Sequence, residues 1–260
     1  MSQCSRLAGR KALVVGATTP DGIGISIAHR YRAEGAQVVI AGIEVGETAK
    51  LAEEIGSPFI AMDVLDEASI ANGVAEAIKA MGGLDIMVNA AGVNRACLIA
   101  DETAEGLTFI ARLHFVGTTL LFRYAAAAMD KGGVMLTMSS VTAERPGFNL
   151  AAYAGTKAGA DTVVKIAAQE FGAKGIRVNS IAPGITRTPM TESYFAQPAV
   201  VAAHTAETPI GRLTTVENVA SVAVWLASDE CIATGECVRA SGGLHLRRLP
   251  TARDIETYKA

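Results

Sequence analysis

Short, almost continuously apolar runs recur along the chain and alternate with stretches of helical periodicity, and few folds accommodate that pattern. The runs are Lys11–Val15, Gln37–Ala41, Phe59–Met62, Asp85–Asn89, Val134–Met138, Ile176–Ile181 and Glu236–Ala240. Between them, helical patterns cover Ile23–Glu34, Val45–Ile55, Ser69–Met81, Leu107–Met129, Tyr153–Phe171 and Thr215–Ala227. Strands without polar alternation are buried on both faces, and a helix between each pair makes right-handed βαβ units. The expected architecture is α/β: a doubly wound parallel sheet of about seven strands with helices on both faces. No linker or repeat divides residues 1–260, so a single domain is expected. Pro183–Pro209, with four prolines, reads as irregular, and its part from about 187 to 209 as a lid over a site.

Composition removes several classes. Half of the residues are hydrophobic, 19% are charged and the net charge is −3. Disorder does not fit that content. A nucleic-acid partner does not fit the missing positive field. No apolar stretch is long enough for a membrane span, and the N-terminus lacks the apolar stretch of a signal peptide. Cys4, Cys97, Cys231 and Cys237 form no CxxC pair and have no His at ligand spacing. They read as reduced thiols of a cytoplasmic protein without a bound metal.

Two constellations carry chemistry. Gly16, Thr18, Asp21, Gly22 and Ile23 lie in a glycine-rich loop that follows a strand and opens a helix. Glycines there let a pyrophosphate approach the backbone and the helix N-terminal N–H groups. At the end of the second strand, where such folds often carry an acid for the ribose hydroxyls, stands Gly42, with Glu44 two residues on. No Lys or Arg lies between Val38 and Gly46, and Asp21 would repel a 2′-phosphate. This favours NAD over NADP, with NADP not excluded. The second constellation is Tyr153 and Lys157, at i and i+4 of a helix and therefore on one face. A neighbouring ammonium favours phenolate, and Ser140, at the end of the fifth strand, is positioned to bond the same substrate oxygen.

With these motifs in order, the sequence resembles the short-chain dehydrogenase/reductase family over about Leu7 to Leu246. The segment Asn89-Ala90-Ala91-Gly92 is similar to the family's NNAG, Ser140 precedes Tyr153 at the family spacing, and Tyr153 and Lys157 match YxxxK. Pro183 and Gly184, with Ile185 and Thr188, resemble the segment that holds the carboxamide, and Asp63-Val64 the pair that meets adenine. Gly211-Arg212 through Ser228-Asp229 resembles the family's C-terminal stretch. The resemblance implies a Rossmann-like fold and reversible hydride transfer between a nicotinamide and a secondary alcohol or ketone. Tyr153 would be the acid/base, Ser140 would orient the substrate oxygen, and Lys157 would lower the Tyr pKa and hold the ribose. It also implies a homotetramer joined through the two long helices.

Three departures stand out. Five residues separate Gly16 from Gly22, a longer stretch than the family's usual loop and one similar to its enoyl-reductase branch. The family's catalytic Asn is replaced by His114, whose neutral imidazole could serve a water relay. The usual VDGG reads Ala240-Ser241-Gly242-Gly243. The alternatives are an enoyl-thioester reductase, for which Tyr124 and Lys131 have the spacing, and a catalytically silent dinucleotide sensor. Met190, Tyr194 and Phe195 suggest an apolar substrate of moderate size, and Arg187 a contact to an acidic group.

Overall fold

The computed structural model describes residues 5–43 and 48–259. Strands β1 (Lys11–Val15), β2 (Gln37–Gly42), β3 (Phe59–Ala61), β4 (Ile86–Asn89), β5 (Gly133–Met138), β6 (Ile176–Pro183) and β7 (Cys237–Ala240) form one sheet. Its order is β3-β2-β1-β4-β5-β6-β7, and every neighbouring pair is parallel. The helices are α1 (Ile23–Ala33), α2 (Thr48–Ile55), α3 (Glu67–Met81), α4 (Ala104–Ala111), α5 (Gly117–Ala128), α6 (Ala151–Gly172), α7 (Glu192–Phe195), α8 (Pro198–Ala206), α9 (Val216–Ala227) and α10 (Ala252–Glu256). The doubly wound Rossmann-like sheet expected from the sequence is therefore present.

The period-2 geometry of a strand divides the apolar residues between two cores. Ala12, Val14, Val38, Ile40, Ile86, Val88 and Leu136 face α1, α2 and α9. Leu13, Val15, Val39, Ala41, Met87 and Met135 face α3, α5 and α6. Tyr31 is fully buried in the first core and donates to Ala223 O at 3.1 Å, tying α1 to α9. Strand order reverses between β1 and β4, so a crevice opens there beyond the carboxyl ends of the strands.

Four elements differ from the sequence expectation. The stretch read as one helix over Leu107–Met129 is α4, a π-helical turn at Arg112–Val116, and α5. In that turn the Gly117 N–H reaches back to Arg112 O, an i→i+5 bond. Thr118 Oγ1 donates to His114 O at 2.6 Å and accepts from Asn89 Nδ2 at 2.9 Å. A Cβ on Gly117 would stand 2.9 Å from Val64 O. The wide turn thus fits α5 closely against the loop after β3, which no helical periodicity reveals. The 183–209 segment is not wholly irregular: it holds a 3₁₀ turn at Pro189–Thr191 as well as α7 and α8. Strand β6 runs on through Pro183, and α10 is an addition at the C-terminal end. Within Val45–Ile55, helix α2 covers Thr48–Ile55; Glu44 to Glu47 lie outside the described residues.

Among the described glycines, Gly16 makes the tightest backbone-on-backbone crossing. It has φ +82°, and a Cβ would stand 2.3 Å from Ala91 N on the loop after β4. Gly16→Ala therefore adds left-handed strain to a backbone collision. Urea denaturation should show a loss of about 2–4 kcal/mol; a loss below half a kilocalorie would mean that the crossing relaxes freely.

Candidate active site

The crevice is bounded on one side by the glycine loop. The N-cap of α1 is Gly22, which supplies no side-chain cap, and no acid lies in the first turn. By contrast, α3 and α9 are capped by Asp66 and Thr215. An uncapped N-terminus opening from the end of β1 matches the diphosphate of a dinucleotide. A Cβ on Gly24 would meet Gly16 O at 2.5 Å, and one on Gly42 would meet Thr18 Cγ2 at 2.5 Å. These glycines fold the loop onto the strand ends, and Gly42 leaves no room for an acid while Thr18 keeps its place. Thr18 is buried, Ile23 half-buried, and Asp21 exposed with φ +54°.

Next along the sheet, Asp63 accepts from Leu65 N–H at 2.9 Å while its own N–H donates to Ser69 Oγ at 3.0 Å; Val64 is buried beside it. Asn89 is buried, and its carboxamide is used within the protein: Nδ2 donates to Thr118, and Oδ1 accepts from Ala91 N at 3.1 Å. Ala90 N donates to Val15 O at 2.8 Å, joining β4 to β1. On the far side, Gly184 N donates to Ala240 O at 3.2 Å, and Ile185 is half-buried. Thr188 caps the following 3₁₀ turn through a reciprocal box with Thr191.

Ser140, Tyr153, Lys157 and His114 come together between these two sides. Lys157 is buried and donates from Nζ to Met138 O at 2.7 Å, fastening α6 to the end of β5. Its ammonium lies 5.9 Å from the centroid of the Tyr153 ring. Burial pushes the Lys157 pKa down to about 8, and the charge of Asp161 opposes that fall. Burial raises the Tyr153 phenol, and a hydrogen bond with Ser140 pulls against that rise. Ser140 Oγ also accepts from Thr142 N at 3.2 Å and from Thr142 Oγ1 at 2.9 Å.

His114 stands edge-on to Tyr153, with ring centroids 5.5 Å apart. Its Nδ1 lies 3.1 Å from Thr156 Oγ1, whose proton goes to Ala152 O and Tyr153 O. Val93 N–H points to Nε2 at 3.4 Å. These partners assign the Nδ1–H tautomer and engage both ring nitrogens. Burial, assisted by the Lys157 charge, pushes the His114 pKa down to about 2, so the imidazole is neutral.

The sequence reasoning missed Thr156, Asn94 and Asp161. Thr156 seats His114. Asn94 Nδ2 donates to Tyr194 Oη at 3.3 Å, linking the β4 loop to α7. Asp161 accepts from Ser139 and Ser180 at 2.6 Å each, and extending the i+4 series from Tyr153 and Lys157 would have found it. Arg187 stacks on Phe195, 5.2 Å from ring centroid, and pairs with Glu192. Tyr124 is outside the site: its hydroxyl donates to Glu67 at 2.9 Å. Among the described residues Cys97, Cys231 and Cys237 are free thiols, no His/Cys/Asp/Glu group could hold a metal, and no helix is long and apolar enough to cross a membrane.

Comparison with known proteins adds to this geometry. Residues 16–245 match a family model described as enoyl-(acyl carrier protein) reductase. An uncharacterized oxidoreductase of Mycobacterium bovis, Mb1385, is 37% identical, covering 92% of this chain and 98% of its own length. The 2,5-dichloro-2,5-cyclohexadiene-1,4-diol dehydrogenase LinX of Sphingobium indicum is 34% identical over 87% of this chain and 92% of its own. A solved short-chain type dehydrogenase/reductase from Mycobacterium ulcerans superposes with a TM-score of 0.90 at 30% identity, covering 94% of this chain and 93% of that one.

His114 leaves a signature in stability. The unfolded imidazole takes a proton near pH 6.5 and the folded one only near 2, so stability falls as pH drops through that window. The slope grows from about 0.3 kcal/mol per pH unit at pH 7 to about 1.4 near pH 5, as the unfolded imidazole becomes fully protonated. His204, held down by burial as well, titrates alike with and without a substitution at 114. The stability difference between wild type and His114→Asn, followed by denaturation from pH 7 to 5, should carry this slope; a constant difference would contradict a neutral buried imidazole.

Proposed function

The chain belongs to the short-chain dehydrogenase/reductase family, and from that premise we propose that it transfers a hydride between a nicotinamide dinucleotide and a secondary alcohol or ketone. The observation carrying this reading is the meeting of Ser140, Tyr153 and Lys157 at the strand ends beside an uncapped helix N-terminus. The loop from Gly16 to Ile23, with Gly42, Asp63, Val64, Asn89, Ala90 and Gly92, would hold the adenosine and diphosphate. Lys157, Pro183, Gly184, Ile185 and Thr188 would hold the nicotinamide half. The bound cofactor supplies the carbon that accepts or gives the hydride.

Tyr153 is the acid/base in this reading. In ketone reduction its phenol gives a proton to the substrate oxygen as the carbinol C–H bond forms. In alcohol oxidation the phenolate takes that proton while the carbonyl forms. Because burial raises Tyr153, reduction runs on the phenol form over the ordinary pH range, and oxidation accelerates as pH rises. Ser140 orients the oxygen. His114, with both nitrogens engaged, positions Tyr153 and the Val93 backbone rather than passing protons.

NAD is the proposed cofactor, since Asp21 and the lack of Lys or Arg between Val38 and Gly46 disfavour a 2′-phosphate. The segment 187–209 is read as the lid over the substrate, and Met190, Tyr194 and Phe195 favour an apolar substrate of moderate size. LinX, a relative, acts by its name on a cyclic diol, which fits that class. A cytoplasmic homotetramer is proposed, with Phe109, Phe115, Val116 and Ile166, exposed large apolar residues on α4, the π turn and α6, supporting the association.

A screen of secondary alcohols and ketones with both dinucleotides tests the reading. Tyr153→Phe should lower turnover about 10²–10⁴-fold while retaining NADH binding; unchanged turnover would remove Tyr153 as acid/base, and activity confined to enoyl thioesters would favour the enoyl-reductase alternative. With the best substrate, kcat/KM should favour NAD over NADP by about tenfold or more. Parity or a preference for NADP would overturn the cofactor assignment.

A further inference from the structure

Tyr153, Lys157 and Asp161 occupy successive i+4 positions on one face of α6. The function proposed above uses the first two. The third is a carboxylate set against the sheet. One oxygen accepts from Ser139 Oγ and the other from Ser180 Oγ, both at 2.6 Å, and both serines are buried. Ser139 directly precedes Ser140, and its own N–H is held by Ile181 O at 2.7 Å. The carboxylate therefore ties the residue just past the end of β5 to the middle of β6, next to where Ser140 leaves the sheet.

Lys157 is only 6% exposed, and a buried ammonium is costly without a countercharge. The groups around it are few. From α6 there are Tyr153 and Asp161, and from the π turn the neutral imidazole of His114. From β5 there is the carbonyl of Met138, and from the loop after β4 the backbone of Gly92, where a Cβ would stand 3.6 Å from Nζ. Asp161 lies one turn along the same helical face and bonds Ser139, the residue next to the Met138 whose carbonyl holds the ammonium, so its carboxylate is placed to offset that charge. Asp161 also faces the Cys237 thiol on β7 and Arg239 beyond it. The thiol, raised by burial and by Asp161, is neutral, and Arg239 pairs with Glu144.

We propose that Asp161 is a positioning residue of the active site: it is the countercharge that keeps buried Lys157 an ammonium, and through Ser139 it fixes the turn that presents Ser140. The proposal rests on the roles assigned above to Tyr153 and Lys157. Burial drives Lys157 toward its neutral form, and Asp161 works against that. Without the carboxylate, Lys157 loses its proton at a lower pH, and with it the charge that serves the ribose hydroxyls and the phenolate.

The test compares wild type, Asp161→Asn and Asp161→Glu. In the pH profile of kcat/KM, Asp161→Asn should move the alkaline limb down by about one pH unit or more, and Asp161→Glu should return it toward the wild-type position. NADH affinity, read by its fluorescence without turnover, should weaken more in the Asn variant at pH 9 than at pH 6. A merely structural role lowers the values but moves neither profile, so superimposable profiles would overturn the proposal. Retained turnover in Tyr153→Phe would instead strike the underlying assignment, whereas its loss beside an unmoved Asp161→Asn profile strikes Asp161 alone. If the Asn variant unfolds below the assay temperature, Asp161→Ser removes the charge, retains a hydroxyl, and carries the same comparison.

Discussion

The hydrogen bond from buried Lys157 to the carbonyl of Met138 is the constraint on which the site depends. An ammonium removed from water must find an acceptor, and the one it finds is the last carbonyl of β5. That bond fixes the rotation of α6 against the sheet. Tyr153, one turn earlier, is thereby directed to the crevice, where it meets Ser140 beyond the end of the same strand. A single buried charge thus converts a helix-on-sheet packing, which tolerates a range of rotations, into one defined arrangement of phenol and hydroxyl.

A second chain of polar contacts holds the opposite wall. Asn89 at the end of β4 donates to Thr118, and Thr118 donates to the carbonyl of His114. The π-helical turn has its own i→i+5 bond from Gly117 to Arg112, and it widens the helix where His114 must reach Thr156 and Val93. The imidazole resides there neutral, since burial beside Lys157 opposes a second positive charge. Both of its ring nitrogens are engaged by the protein, Nδ1 by Thr156 and Nε2 by the Val93 N–H.

The two chains meet across Gly92, whose missing side chain lets the loop after β4 pass His114 and Lys157 together. At the end of β1, Gly16 does the same against Ala91. Close backbone approach at the switch point thus packs the glycine loop against the loop that passes Lys157 and His114.

Much of this was legible in the sequence. Apolar strands without alternation specify a sheet buried on both faces, and βαβ handedness then fixes its winding. The spacing of Tyr153 and Lys157 placed them on one helical face because helical geometry is local. What the sequence did not determine is what each group touches. The break in Leu107–Met129 comes from α5 fitting against the loop after β3. The acceptor of Lys157, the partners of His114 and the burial that raises Tyr153 all lie on other strands and helices. Asp161 gains its meaning from Ser139 and Ser180, far away in the chain. Periodicity fixes a face, while hydrogen-bond partners and solvent exclusion, which set acidity, depend on residues that only the tertiary fold brings together.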